Sequence, residues 1–64
     1  MLTRGLYKCP NHSVYLRVLN IYFTNETYTK VKLRFEYKSG MIIEQGQYKL
    51  ELKNIQHWIK VCSI

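Results

Sequence analysis

Residues 28–37, YTKVKLRFEY, decide what kind of protein this is. Val31, Leu33, Phe35 and Tyr37 alternate with Lys30, Lys32, Arg34 and Glu36. Successive side chains of a β-strand point to opposite faces, so a period of two buries the apolar set and leaves the charged set in water. A helix would scatter both sets around its circumference. The stretch is a half-buried strand, and the remainder of the chain is read outward from it.

Upstream, Val14–Phe23 (VYLRVLNIYF) is β-branched and aromatic on both parities, interrupted only by Arg17 and Asn20. Such a run fits a strand covered on both faces, the central or sharply curved strand of a small barrel. Thr24-Asn25-Glu26-Thr27 supplies a hairpin loop between the two runs. Downstream, Ser39-Gly40 is a turn signal leading into Met41-Ile42-Ile43-Glu44, and Gln45-Gly46 offers another turn.

The last third admits two readings. As strands, Tyr48, Leu50 and Leu52 alternate with Lys49, Glu51 and Lys53; a break at Lys53-Asn54 precedes a last strand ending in Trp58-Ile59-Lys60-Val61. As an amphipathic helix, Tyr48, Leu52, Ile55, Ile59 and Cys62 recur at helical spacing, but Leu50 and Val61 fall on the polar side. The first reading continues the strands before it. The expected fold is mainly β: one small antiparallel four- to five-stranded meander or small barrel spanning residues 1–64. The alternative is α+β, with a C-terminal helix at 47–62.

Sixty-four residues make a single domain with no room for a second core. Nine aromatic residues and 47% hydrophobic content exceed what a disordered chain carries, so a folded domain is expected. Ten Lys and Arg stand against four Glu and no Asp, a net charge of +6, and the first acidic residue is Glu26. A positive field of this kind attracts polyanions, most often nucleic acid, sometimes an acidic protein. No run approaches the length of a membrane span, and the N-terminal MLTRGLYKCPN lacks the apolar stretch of a signal peptide. A cytoplasmic location with no membrane association is expected, and with it two reduced cysteines and sequons at Asn11 and Asn25 that go unused. The abundance of Ile, Lys, Asn and Tyr matches AT-rich coding sequence and hints at a phage or mobile element.

The stretch Tyr7–Ser13, YKCPNHS, resembles half of a metal knuckle, since Cys9 and His12 flank a Pro-Asn turn. The remaining Cys and His, Cys62 and His57, are five residues apart and diverge both in a straight strand and in a helix. No metal and no cofactor is expected. A Cys9–Cys62 disulfide would close nearly the whole chain, but reduced thiols are the expectation. Glu26, Glu36, Glu44 and Glu51 are isolated, Gly5, Gly40 and Gly46 are scattered, and nothing orients Cys9 with His12 as nucleophile and base. The expected protein is not an enzyme.

The constellation with most chemical content is the outward row of the opening strand: Tyr28, Lys30, Lys32, Arg34, Glu36 and Lys38, with Lys49 and Lys53 extending it if residues 48–53 lie alongside. Such a row can track a phosphate backbone, while Tyr28, or an exposed Tyr15, Tyr48 or Trp58, stacks a base. The expected function is a non-enzymatic nucleic-acid-binding module, for DNA or RNA. Alternating lysines also protect strand edges and keep a protein soluble, which is the plainer account of the same pattern. The alternative is a small protein that binds and inhibits or recruits an acidic host protein, or a second copy of itself as a homodimer, through Tyr15, Leu19, Ile21, Phe23 and Trp58.

Overall fold

The computed structural model describes residues 2–64. Five strands, β1 (Gly5–Lys8), β2 (Tyr15–Thr24), β3 (Tyr28–Glu36), β4 (Ile42–Glu51) and β5 (Ile59–Cys62), form one antiparallel sheet in the order β4-β3-β2-β1-β5. One helical turn, α1 (Leu52–Ile55), joins β4 to β5. The first four strands are a meander, and β5 crosses to pair with β1 at the far side. No β4–β5 ladder forms, so these two strands are the edges of a curled but open sheet. The molecule is mainly β, as the alternation of residues 28–37 requires.

The turns follow from local chemistry. The His12 N–H donates to the Cys9 carbonyl at 3.1 Å, reversing the chain at Pro10-Asn11 between β1 and β2. Asn25 Oδ1 accepts from the N–H groups of Thr27 and Tyr28 at 2.8 and 2.9 Å, which closes the β2–β3 loop. In the β3–β4 turn Gly40 has φ +92°, a backbone conformation that L side chains rarely adopt. The Tyr37 N–H donates to the Met41 carbonyl at 2.9 Å. Tyr37 therefore belongs to the turn and is half exposed, although its place in the alternation assigns it to the core.

No helix spans 47–62. Residues 47–51 pair one by one with β3, from Gln47 opposite Lys32 to Glu51 opposite Tyr28. The strand places Tyr48 and Leu50 opposite Val31 and Thr29, whereas a helix would have left Leu50 on its polar side. Short isolated helices are marginal in water, and the free edge of β3 offers a ladder of hydrogen bonds instead. Helical geometry survives for four residues only. The turn expected at Gln45-Gly46 is also absent, because β4 runs through it. Gly46 sits opposite Leu33, and a Cβ there would lie 3.5 Å from the Tyr48 ring. That is an ordinary van der Waals contact, so the ring does not require a glycine there.

β2 explains its own composition. Its register against β3 shifts between Val18 and Asn20 and again between Ile21 and Phe23. Each bulge inserts one residue, flips the parity and bends the strand. Leu16, Val18, Ile21 and Thr24 are consequently the positions opposite the inward Phe35, Leu33, Val31 and Thr29. The run is apolar on both parities because it is sharply curved. It is not covered on both faces, since Tyr22 and Phe23 are each 49% exposed.

The core is small. Tyr7, Leu16, Val18, Val31 and Leu33 are buried, with Leu2, Ile21, Phe35, Tyr48, Leu50 and Trp58 packed around them. Thr29 is fully buried among them, its hydroxyl 3.0 Å from the Phe23 carbonyl and 2.9 Å from the Thr24 hydroxyl. Among the described residues no buried side-chain nitrogen or oxygen lacks a partner, the condition a domain this small must meet.

Candidate nucleic-acid interface

Register assigns the outer face of the sheet. Lys30, Lys32 and Arg34 of β3 lie opposite Lys49, Gln47 and Gln45 of β4, and opposite Phe23, Asn20 and Arg17 of β2. Neighbouring strands are about 4.8 Å apart, and alternate residues along a strand about 6.6 Å, so these side chains form a lattice at roughly the grain of a nucleotide chain. Lys30, Lys32, Arg34 and Lys49 are brought together as the alternation suggests. Lys38 and Lys53 are not part of the lattice. Lys38 lies in the β3–β4 turn, beyond the last ladder residue, and Lys53 rides on α1, where its Nζ is 3.5 Å from Glu51.

The charges on this face are unequally satisfied. Arg17 Nε donates to Glu36 Oε2 at 2.7 Å and Arg17 Nη1 donates to the Ile64 backbone oxygen at 2.6 Å. Glu36 is buried and Arg17 half-buried, so the pair takes one acid off the surface and neutralises one base. Arg34 Nε donates to Gln45 Oε1 at 3.0 Å. Glu44 is bonded by the Tyr48 hydroxyl, and Glu26 sits in the β2–β3 loop. Among the described residues, Lys30, Lys32 and Lys49 form no salt bridge. Lys30 and Lys49 stand directly opposite one another, an arrangement of like charges that destabilises an isolated sheet. Lys49 Nζ lies 4.2 Å over the Tyr28 ring, a contact that offsets part of this cost.

Aromatic side chains border the lysines. The Phe23 ring lies 5.9 Å from that of Tyr28 at 45°. Tyr22 shares a shallow depression of about 360 Å³ with Lys30, Gln47 and Lys49. Tyr22 was not legible as a site residue, because only the second bulge of β2 sets it beside Phe23. Of the aromatics proposed for stacking, Tyr28 is half-buried with Lys49 over its ring, and Tyr15 is half-buried opposite Glu36. Tyr48 packs on Phe35 at 5.4 Å, and Trp58 on Tyr7 at 6.0 Å, as parts of the core rim. The Tyr48 phenol is raised above the ordinary tyrosine pKa, first by its hydrogen bond to Glu44 and then by partial desolvation and the Glu44 charge.

The residues suggested for a protein partner are dispersed. Ile21 and Trp58 pack against the core, Tyr15 and Leu19 are half-buried, and Phe23 is exposed beside the lysines. β2 is internal to the sheet rather than an edge. Exposed apolar side chains gather instead at the β3–β4 turn, in Tyr37, Met41, Ile42 and Ile43, and on β5, in Ile59 and Val61.

Cys9 and His12 line the rim of an apolar cleft of about 420 Å³ floored by Leu16, Leu33, Phe35 and Leu50. Among the described residues no three His, Cys, Asp or Glu side chains converge as metal ligands. Both cysteines are free thiols. Cys62 pairs with Leu6 near the start of β1, while Cys9 follows Lys8 at its end. No helix among the described residues is long and apolar enough to cross a membrane. The chain matches no family model, no curated protein and no solved structure.

Proposed function

We propose that this protein is a non-enzymatic nucleic-acid-binding module that contacts phosphates through the outer face of β3 and β4. The observation that carries the reading is the facing pair Lys30 and Lys49, two cations opposed across a ladder without a carboxylate on either. A polyanion removes the repulsion that the free protein bears. Lys32 and Arg34 continue the track; Glu36 is paired with Arg17, and Glu51, at the end of the β4 row, with Lys53. A cytoplasmic setting suits the two free thiols.

Fluorescence anisotropy with labelled DNA and RNA oligonucleotides, repeated across a salt series, tests this. Four neutralised phosphates give a slope of log K against log salt between about −3 and −4. The double substitution Lys30→Glu/Lys49→Glu abolishes binding at moderate salt while the fold is retained. Absence of binding by the unaltered protein at low salt overturns the reading.

The apolar side chains Met41, Ile42 and Ile43 favour a second reading, contact with an acidic protein or with a second copy through the β3–β4 turn. Light scattering separates the second copy from the rest: a monomer over the working concentration range, unchanged by Ile42→Asp, excludes the dimer.

A further inference from the structure

Resting on the reading just given, the geometry points to single-stranded nucleic acid as the ligand, with Tyr22 and Phe23 as its base-stacking platform. The two rings are consecutive in sequence. In a regular strand consecutive side chains point to opposite faces. The bulge between Ile21 and Phe23 suspends that rule, and both residues come to lie beside Lys30 of the neighbouring strand. Each remains 49% exposed. Phe23 rests on Tyr28, which in turn lies under Lys49, and Lys30 stands opposite Phe23, so the platform is supported by a ring and bordered by cations.

The combination discriminates between forms of nucleic acid. A basic row alone suits any phosphate backbone. Water-exposed aromatic rings add nothing for a duplex, whose base faces are consumed by its own stacking. A single strand can offer unstacked bases to the rings while its phosphates follow the lysines, the arrangement found where single strands are held without strong sequence preference. Recognition through π-faces makes base identity secondary.

The test compares a single-stranded oligonucleotide with the duplex of the same sequence, using the full chain and variants Tyr22→Ala, Phe23→Ala and Phe23→Trp. The expected result is tighter binding of the single strand, lost by about 5- to 100-fold in each alanine variant, because a stacked base is worth about 1–3 kcal/mol. Phe23→Trp restores the affinity, duplex binding stays where it was, and the salt slope is unchanged. Thermal melts followed by circular dichroism confirm that the variants fold. Equal affinity for duplex and single strand, or alanine variants that bind the single strand as the unaltered protein does, overturns the inference. If Lys30→Glu/Lys49→Glu still abolishes binding in that case, the phosphate-binding face stands and only the stacking platform falls. If that double substitution has no effect, both fall together.

Discussion

Lys30 faces Lys49 across one ladder and Phe23 across the other, and among the described residues it forms no ion pair. Its charge is a cost to the free fold and an asset to binding, so the two should separate on substitution. Lys30→Glu should raise stability by about 0.2–1 kcal/mol, since it turns an opposed pair of like charges into an opposite one. The same change should weaken oligonucleotide binding; urea denaturation and anisotropy on one preparation check both signs. Tyr48 offers a residue-level prediction of another kind. Its folded-state pKa is raised, chiefly by Glu44, so the neutral phenol is favoured by folding. The contribution to stability is complete below the ordinary tyrosine pKa of about 10 and is lost as pH rises through the folded value. Glu44→Gln should bring the Tyr48 titration down, read as tyrosinate absorbance after subtraction of a Tyr48→Phe control.

Among the elements, β5 depends on a single glycine. Gly5 has φ +145°, and a Cβ there would meet the Cys62 carbonyl oxygen at 2.5 Å and Lys60 Cε at 2.6 Å. Lysine can swing away, but the β5 backbone cannot move without loosening the β1 ladder. Gly5→Ala should therefore destabilise by about 1–3 kcal/mol, with lost hydrogen-exchange protection concentrated in β1 and β5. β3 was legible from Thr29 to Phe35, where its alternation survives intact, but not at its end, where Glu36 is buried against Arg17 and Tyr37 enters the turn. β2 was legible as a curved strand, but its parity was not, since two bulges reset it and composition does not mark where. The helical turn falls on the expected break at Lys53-Asn54, whereas Gly46 makes no turn: a glycine signals a turn locally, but here the ladder with β3 carries β4 straight through it.

At the scale of the whole molecule, ten cations against four glutamates give a compact body with extents of 33 × 21 × 18 Å a strong positive field. Self-repulsion in such a body is screened by salt, and so is attraction to phosphates. Raising salt should therefore raise the melting temperature while weakening oligonucleotide binding by about 60- to 250-fold between 50 and 200 mM, for four phosphate contacts. Calorimetry and anisotropy in matched buffers read the two trends. A melting temperature that falls with salt would show that ion pairs such as Arg17–Glu36 outweigh the net repulsion.

The amino-acid sequence by itself determined strand character, the inward and outward sets of β3 from Thr29 to Phe35, the turns at Pro10-Asn11, Asn25 and Gly40, and the net charge. Each of these rests on neighbours within a few positions: periodicity, turn chemistry and a sum of charges. The tertiary structure decided the pairing of β5 with β1, the burial of Glu36 under Arg17, and the gathering of Tyr22, Phe23, Lys30 and Lys49 on one face. Those depend on residues far apart in the chain, and on bulges whose position follows from how β2 must bend to cover Val31 and Leu33.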